Sequence, residues 1–324
     1  MTTPTVRNPC AEATALLPDG HEARVLEPSP PADTDRAWLA DDPTDPAGAE
    51  GTVVSPVSGG DLTWDALTGD DPGLAAYAHD HWLTRTRQLD PLPDRFAATR
   101  DAMHQLAFFV VAPKRYAQTG KLGLRWTAGG FGTPFYATDA GDEQVRMEGD
   151  LLVVQSGAQV RAIRPRTVRE ACAFVGIECR DEWFADFHDP LTPTGPDVRL
   201  ELDPVAAGAV GDWFGFATAV LEELRRTPGA VDVGRVQLWP EHFDPAVELG
   251  DGRSGQRASY GASPGDAGHD EPYLYVAPWR EVDKSDPYWN DTSFDGASLG
   301  YAELLDSTDP VGTALQFLWK GMSG

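Results

Sequence analysis

The chain has 324 residues, enough to bury a full core, and this length favours two domains or one large one. It carries 51 Asp and Glu against 26 Lys and Arg. The resulting formal charge of -25 argues against nucleic acid or an anionic membrane as a partner, because both are bound through clustered basic residues. A hydrophobic fraction of 41% excludes a disordered chain and indicates a globular protein.

Targeting and redox signals favour the cytoplasm. No run of about 18 apolar residues is present, so no membrane-spanning segment is predicted. Residues 1–25 lack the basic and apolar regions of a signal peptide. Cys10, Cys172 and Cys179 form no Cys-x-x-Cys pair and leave one cysteine over in any disulfide scheme. We therefore expect a soluble cytoplasmic protein.

Composition divides the chain into four segments. Residues 1–60 are rich in Pro, Asp, Thr and Gly and lack periodic apolar spacing, which predicts a partly disordered arm. Residues 181–202 are irregular and proline-rich and are predicted to form a linker. Residues 61–180 and 203–324 each combine helical and strand-like patterns. We predict two modules of the α+β class, each an antiparallel sheet with flanking helices.

The first module is predicted to begin with two helices. One is expected from Asp71 to the Asp90-Pro91 pair, because its apolar residues keep helical spacing between these cap and stop signals. The second is expected to start at Asp94 and to end at Pro113, since proline cannot donate the backbone hydrogen bond that a helix interior requires.

A β-meander is predicted after these helices. Short apolar runs over residues 121–163 are divided by glycine-rich turns, including a tight hairpin at Gly149. A helix then follows, with Thr167 as its N-cap and Gly176 as its end.

The second module repeats this order. A strong amphipathic helix is predicted from Asp203 to Arg226 and another from the Asp309-Pro310 pair towards the C-terminus. Between them, three apolar runs separated by Gly, Pro, Asp and Ser clusters predict paired strands at 233–239, 246–249 and 272–279.

One short pattern occurs in both modules. Residues 120–126 and 234–239 each read Gly, basic, apolar, any residue, Leu and then Trp, with one extra residue before Trp in the first copy. Each follows a helix and begins a group of strands. The repeat predicts an internal duplication, although two amphipathic helices followed by short strands would also look alike.

Two longer motifs carry a family resemblance. Residues 238–244 read Leu-Trp-Pro-Glu-His-Phe-Asp, and residues 260–266 read Tyr-Gly-Ala-Ser-Pro-Gly-Asp. On these motifs the chain resembles an uncharacterised bacterial protein family. The resemblance covers about this stretch and implies no known activity.

The sequence Gly-Ala-Ser-Pro-Gly at 261–265 matches the Gly-x-Ser-x-Gly of a hydrolase nucleophile elbow. In such an elbow, the residue after Ser donates its N–H to the oxyanion and starts a helix. Pro264 has no N–H, and no helical pattern follows it. A turn between strands is therefore favoured over a serine hydrolase.

Histidines and carboxylates suggest a second kind of chemistry. His242 precedes Asp244 by two residues, and His269 precedes Glu271 by the same spacing. Alternate residues of a strand share a face, so the four side chains could bind Zn, Mn or non-haem Fe if their segments are neighbours. Glu241 and His242 are also candidate catalytic acid and base. In so acidic a chain, this spacing also arises by chance.

Aromatic residues suggest a binding pocket. Tyr273 and Tyr275 share one face of a predicted strand, while Leu274 and Val276 share the other. One face is expected to enter the core and the other to line a pocket with polar groups at its rim. The predicted ligand-binding residues are Trp126, Arg125, Trp239, Arg257, Tyr260, Tyr273 and Tyr275. The alternative is that these large residues only fill a core.

The favoured function is that of a soluble protein that binds a small organic ligand in this aromatic pocket. One alternative is an acid/base or metal-dependent enzyme that uses His242 with Glu241, Asp244 and His269, with a divalent metal as its cofactor. Another is a structural or assembly protein. No nucleic-acid or membrane partner is expected, and the sequence predicts no oligomeric state.

Overall fold

The computed structural model of the chain describes residues 13–16, 22–25, 52–54, 61–63 and 89–323, with gaps at 128, 140, 158, 181–190 and 226. Helices combine with two large antiparallel sheets, of six and five strands, which confirms the predicted α+β class. The helix predicted from Asp71 lies outside the described residues. The same holds for most of the arm and for residues 181–190 of the predicted linker.

The first sheet is preceded by two short hairpins and one long helical unit. The hairpins are β1 Ala13–Leu16 with β2 Glu22–Val25, and β3 Thr52–Val54 with β4 Asp61–Thr63. The helical unit comprises α1 Phe96–Leu106, a π-helical segment Ala107–Val111 and α2 Ala112–Thr119. The sheet and its closing helix are β5 Arg125–Thr127, β6 Gly130–Gly132, β7 Tyr136–Thr138, β8 Gly141–Glu148, β9 Leu151–Ser156, β10 Gln159–Ile163 and α3 Val168–Val175.

The second sheet lies between one long helix and two shorter ones. The elements are α4 Pro204–Arg225, β11 Gln237–Trp239, β12 Asp244–Leu249, β13 Ala258–Ser263, β14 Tyr273–Pro278, β15 Ala297–Gly300, α5 Tyr301–Leu305 and α6 Pro310–Ser323.

The two sheets have matching topology and meet at equivalent strands. Their orders are β10-β9-β8-β6-β5, with β7 beside β8, and β11-β12-β13-β14-β15. Leu124, directly before β5, pairs antiparallel with Leu238 of β11. Both leucines hold the same place in the repeated Gly-basic-apolar pattern. The similarity of the two sheets supports the predicted duplication.

Helix α4 is the centre of the core. It packs against α1 and α6 and against strands of both sheets, β5 and β6 in one and β12 and β13 in the other. Trp213, Phe214 and Phe216 of this helix are fully buried. Among the described residues, α4 is the one helix long and apolar enough to cross a membrane, and 67% of its apolar window is buried inside the protein. A helix at the centre of a core meets the same criteria, and its packing places α4 there.

Pro113 does not end a helix, contrary to the sequence-based prediction. In an α-helix the N–H of residue 113 would bond to the carbonyl of Phe109, and proline has no N–H. The π-helical segment ends at Val111, two residues before Pro113, and its wider turn bonds the Ala112 N–H to the carbonyl of Ala107. The Cys172 thiol donates to the Phe109 carbonyl at 3.6 Å. The helix therefore continues to Thr119.

The predicted caps are confirmed at two helices. The Thr167 hydroxyl accepts a hydrogen bond from the Glu170 N–H at 3.1 Å, and Gly176 ends α3 in the left-handed conformation. Asp203 accepts from the N–H of Val205 at 3.0 Å at the start of α4. Strands β6, β13 and β15 were not predicted, because their Gly, Ser and Ala residues carry weak strand signals.

Part of the predicted arm is folded. Strands β1 and β2 pair antiparallel, and Ala23 of β2 is fully buried. Ala23 packs on Leu151 and Val153, which share one face of β9. The arm therefore contains ordered strands that contact the first sheet.

Candidate functional site

A cleft of about 940 Å³ lies on one face of the second sheet. Alternate residues of its strands face the cleft, while those between them, such as Tyr260 and Leu274, enter the core. The residues that form the floor are Trp239, Asp244, Ala246, Glu248, Ser259, Ser263, Tyr273, Tyr275 and Ala277.

The walls come from helix α1 and from irregular segments. Three residues within about one turn of α1 border the cleft: Arg100, Asp101 and His104. The turn between β11 and β12 contributes Glu241 and His242. The loop after β13 and two separate apolar residues complete the lining with Gly265, Asp266, Ala267, Leu191 and Phe294.

The turn that carries Glu241 and His242 is held by Phe243. This residue has a φ of 55°, which is rare for a non-glycine residue. Its ring is buried and packs edge-on against Phe131 and Phe214, both at 5.0 Å between centroids. Strained backbone of this kind persists only where the surrounding packing fixes it, and it is common at functional sites. The aromatic cluster therefore fixes how the turn enters the cleft.

His104 holds the same turn from helix α1. Its ring stacks on Phe243 with centroids 5.1 Å apart. Its Nε2 lies 3.0 Å from the carbonyl oxygen of Pro240 and 3.2 Å from that of Glu241. Two acceptors at one nitrogen require a proton on Nε2. Burial lowers the pKa of His104 to about 4, so the ring is neutral at pH 7.

Half-buried Tyr275 and buried Asp244 form a hydrogen-bonded pair on the cleft floor. Asp244 is 3% exposed, and its Oδ2 accepts the Tyr275 hydroxyl. The tyrosine ring crosses Gly261 of the intervening strand, where a Cβ atom would lie 2.4 Å from the ring. Burial raises the pKa of Asp244 above its usual range. Its second oxygen, Oδ1, accepts no hydrogen bond from any described residue.

Glu241 presents a second buried oxygen. Its Oε2 is shielded from water and has no hydrogen-bond partner within the described ranges. Burial is the main cause that raises the pKa of this carboxyl, and the charge of Asp244 raises it further. The neighbouring His242 is exposed and borders the cleft. The two carboxyls are thus electrostatically coupled acceptors in one cleft.

Tyr273 is fixed by two neighbours. Its hydroxyl donates to Asp266 Oδ2 at 2.6 Å, and its ring stacks on His269 with centroids 4.0 Å apart. His269 Nε2 lies 2.9 Å from Asp291 Oδ2. Burial acts to raise the pKa of Asp291, but hydrogen bonds from serine side chains and the nearby His269 lower it to about 2. His269 thus supports the cleft wall.

The predicted metal site does not form. Within the part of the chain that the structure describes, no group of three or more His, Cys, Asp or Glu residues could hold a metal ion. His242 and Asp244 both line the cleft, but His269 contacts Asp291 and Glu271 is exposed to solvent. The prediction was wrong because equal spacing along two segments does not bring their side chains to one point.

Three of the seven predicted ligand-binding residues line the cleft: Trp239, Tyr273 and Tyr275. Two others, Trp126 and Tyr260, lie in the core, as the alternative reading had it. Arg125 lies outside the cleft on β5. Arg257 bonds to Glu248 at 2.8 Å and stacks over the exposed Trp279.

Ser263 also borders the cleft, but not as an elbow nucleophile. It ends strand β13, its Oγ accepts the Gly265 N–H at 3.1 Å, and a loop follows rather than a helix. The wall residues Arg100, His104 and Phe294 were missed as site residues. Arg100 and His104 reach the cleft only through tertiary contacts of α1 with the loop after β13 and the β11–β12 turn, and no local pattern signals those contacts.

Comparison with protein-family models, curated proteins and solved structures finds no match. The family resemblance of residues 238–244 and 260–266 therefore stays a prediction.

Proposed function

We propose that the protein binds a small organic molecule in the cleft on the second sheet. The observation that carries this proposal is the convergence of aromatic rings and buried carboxyl oxygens on one cleft. Trp239, Tyr273, Tyr275 and Phe294 offer apolar surface, and Asp244 and Glu241 offer acceptors. A volume of about 940 Å³ is typical of sites for small molecules and cofactors.

The position of the tyrosines supports a preformed site. Both hydroxyls are bonded to carboxylates, and one ring lies over a glycine whose missing side chain leaves room for it. Residues fixed in this way lose little side-chain entropy when a ligand arrives. The free thiols of Cys172 and Cys179, within the described residues, are compatible with the proposed cytoplasmic location.

The test is a thermal-shift screen of a mixed library of amines, acids, sugars and neutral aromatics. Ala277→Phe places a ring in the cleft, while Ala302→Phe adds the same ring at an exposed position of α5. Compounds that bind the cleft should stabilise the wild type and Ala302→Phe but not Ala277→Phe. Equal shifts in all three proteins, or no shift with any compound, would show the proposal to be wrong.

An acid/base enzyme is the second candidate, and one observation favours it. The Glu241 carboxyl lies in the cleft with its pKa raised by burial, as general acids and bases require. Its role is tested by incubating a small-molecule extract with the wild type and with Glu241→Gln. Mass spectrometry should find a compound consumed by the wild type alone, with Glu170→Gln, on helix α3, as the active control. Equal profiles would remove this candidate.

The third candidate, a structural or assembly protein, stays a prediction.

A further inference from the structure

The charges in the cleft are not balanced. Five acids line it, and two of these are paired with arginine: Asp101 with Arg100 at 2.8 Å and Glu248 with Arg257 at 2.8 Å. Glu241, Asp244 and Asp266 have no Lys or Arg partner among the described residues. Asp266 lies 3.5 Å from His269 Nδ1, and His242 acts electrostatically on Glu241 and Asp244, but none of the three carboxyl groups is paired with a lysine or arginine of the described residues.

Unsatisfied hydrogen-bond acceptors restrict the chemical class of the ligand further. Asp244 is more than nine-tenths buried, yet its Oδ1 accepts no hydrogen bond from the described part of the chain. Glu241 Oε2 also accepts no hydrogen bond from these residues. A buried acceptor without a donor is costly, and a buried charge without a counter-charge is more so. A ligand that supplies both a donor and a positive charge relieves both costs. A quaternary ammonium supplies only the charge, and an alcohol only the donor.

The aromatic lining suits such a ligand. Faces of Trp and Tyr attract cations within about 6 Å of the ring centroid, and they also bury an apolar body. Tyr273 and Tyr275 lie side by side, with centroids 6.2 Å apart, next to the carboxyls that accept their hydroxyl groups.

The first module offers an internal comparison. Strand β8 corresponds to β13 in the matching sheet orders, and its core face carries Val145 and Met147. Arg146 between them points to the opposite face, is fully buried, and bonds to Glu148 at 3.0 Å and to Gln155 at 3.0 Å. The face that is an open acidic cleft in the second sheet is thus filled by a guanidinium group of the chain in the first.

We propose that the cleft binds a protonated primary or secondary organic amine, whose N–H groups bond to Asp244 and Glu241 and whose apolar body lies against Trp239 and Tyr275. This inference rests on the proposed function, because it names the chemical class of the small molecule. It does not depend on whether the protein then acts on the amine.

Four probes of one shape test the proposal by calorimetry or by tryptophan fluorescence. Phenethylamine has charge and donors, phenethyltrimethylammonium has charge alone, phenethyl alcohol has a donor alone, and 3-phenylpropionate is an anion. We expect phenethylamine to bind at least about tenfold more tightly than phenethyltrimethylammonium or phenethyl alcohol, in line with the strength of charge-assisted hydrogen bonds. The anion should not bind.

Two isosteric variants locate the effect. Asp244→Asn and Glu241→Gln keep the side-chain shape and remove one charge each, so each should weaken amine binding by about tenfold and leave the alcohol unchanged. Asp197→Asn, which alters an exposed ion pair with Arg169, is the matched control and should bind like the wild type. Glu241→Gln keeps the test valid if Asp244→Asn does not fold.

The outcomes separate this inference from the proposed function. If the alcohol and the amine bind equally, or if both variants bind the amine like the wild type, the proposal of an amine ligand is wrong. The proposal of a small-molecule site is then unaffected. If no probe binds and the library gives no shift that Ala277→Phe removes, both proposals are wrong.

Discussion

Leu124 and Leu238 each donate their backbone N–H to the other's carbonyl, at 2.7 and 2.8 Å, across the join between the two sheets. They also hold the same place in the repeated Gly-basic-apolar pattern. Two copies of one position can pair antiparallel only if the copies are related by an approximate two-fold axis at that point. The pairing therefore supports a duplication more directly than the similarity of the sheets alone.

We predict that the two leucines are energetically coupled. Both are buried in the core, so Leu124→Ala and Leu238→Ala should each lower the free energy of unfolding by about 2–5 kcal/mol. Because directly paired residues share a face, the double variant should depart from the sum by about 0.5–3 kcal/mol. Chemical denaturation measures all three proteins. Leu304 lies beyond the opposite edge strand, so the effects of Leu304→Ala and Leu124→Ala on the unfolding free energy should add within about 0.5 kcal/mol. Equal coupling in the Leu124/Leu238 and Leu124/Leu304 pairs would contradict the prediction.

Two glycines of helix α4 should respond in opposite directions to alanine. A Cβ on Gly208 meets no atom within 4 Å, so Gly208→Ala should raise the free energy of unfolding by up to about 1 kcal/mol through helix propensity. A Cβ on Gly211 would lie 2.7 Å from the backbone of Gly129, so Gly211→Ala should destabilise by about 1–3 kcal/mol. Thermal and chemical denaturation compare the two. A stabilised Gly211→Ala would show that α4 does not approach the β5–β6 turn so closely.

Gly261→Ala should disturb the cleft without replacing any of its polar side chains. The new methyl group would meet the Tyr275 ring at 2.4 Å and displace it, which breaks the hydrogen bond from the tyrosine hydroxyl to Asp244. We expect a loss of about 1–3 kcal/mol in unfolding free energy and a loss of phenethylamine binding. Gly208→Ala serves as the control with the same chemical change. Unaltered binding in Gly261→Ala would mean that the position of Tyr275 is not critical.

His104 should make stability depend on pH in one window. Its pKa is lowered from 6.5 to about 4 in the folded protein, so protons bind the unfolded chain first as the pH falls. The contribution of the neutral ring is complete above pH 6.5 and is lost progressively down to about pH 4. The total loss is on the order of 3 kcal/mol. Asp101 and His242 face this ring and act on it in opposite directions.

Denaturation at pH 7, 5.5 and 4 measures this effect as the difference between the wild type and His104→Gln. The variant should be less stable at pH 7 and should lose less stability on acidification. Ala302→Phe, at an exposed position and without change of any titratable group, should keep the slope of the wild type. A His104→Gln variant with the same pH slope as the wild type would rule out His104 as its source.

Local signals predicted those parts of the fold that depend on neighbouring residues. The Thr167 and Gly176 caps, the α4 helix and the hairpin at Gly149 follow from rules that act over a few residues. The predicted helix end at Pro113 was wrong, because the missing hydrogen bond of this proline is compensated by a π-helical segment and by Cys172, which is distant in sequence. Strand pairing likewise overrode weak propensity at β6, β13 and β15.

The candidate site was predictable only along its strand. Alternation placed Tyr273 and Tyr275 on the cleft face, and the Trp239 turn followed from the sequence motif. Arg100 and His104 were not predictable, because helix α1 reaches the cleft only through packing. Trp126 and Tyr260 show the converse: aromatic character does not say which face of a sheet enters the core.

The contact of Ala23 with Leu151 and Val153 bears on how the protein can be handled in the laboratory. These β9 side chains lie on the face of the first sheet turned away from the main core, and the β1–β2 hairpin covers them. A shortened protein that begins at residue 89 would retain both large sheets but expose this apolar surface to water. We expect such a protein to self-associate on concentration, so crystallisation and binding experiments should retain the N-terminal hairpin.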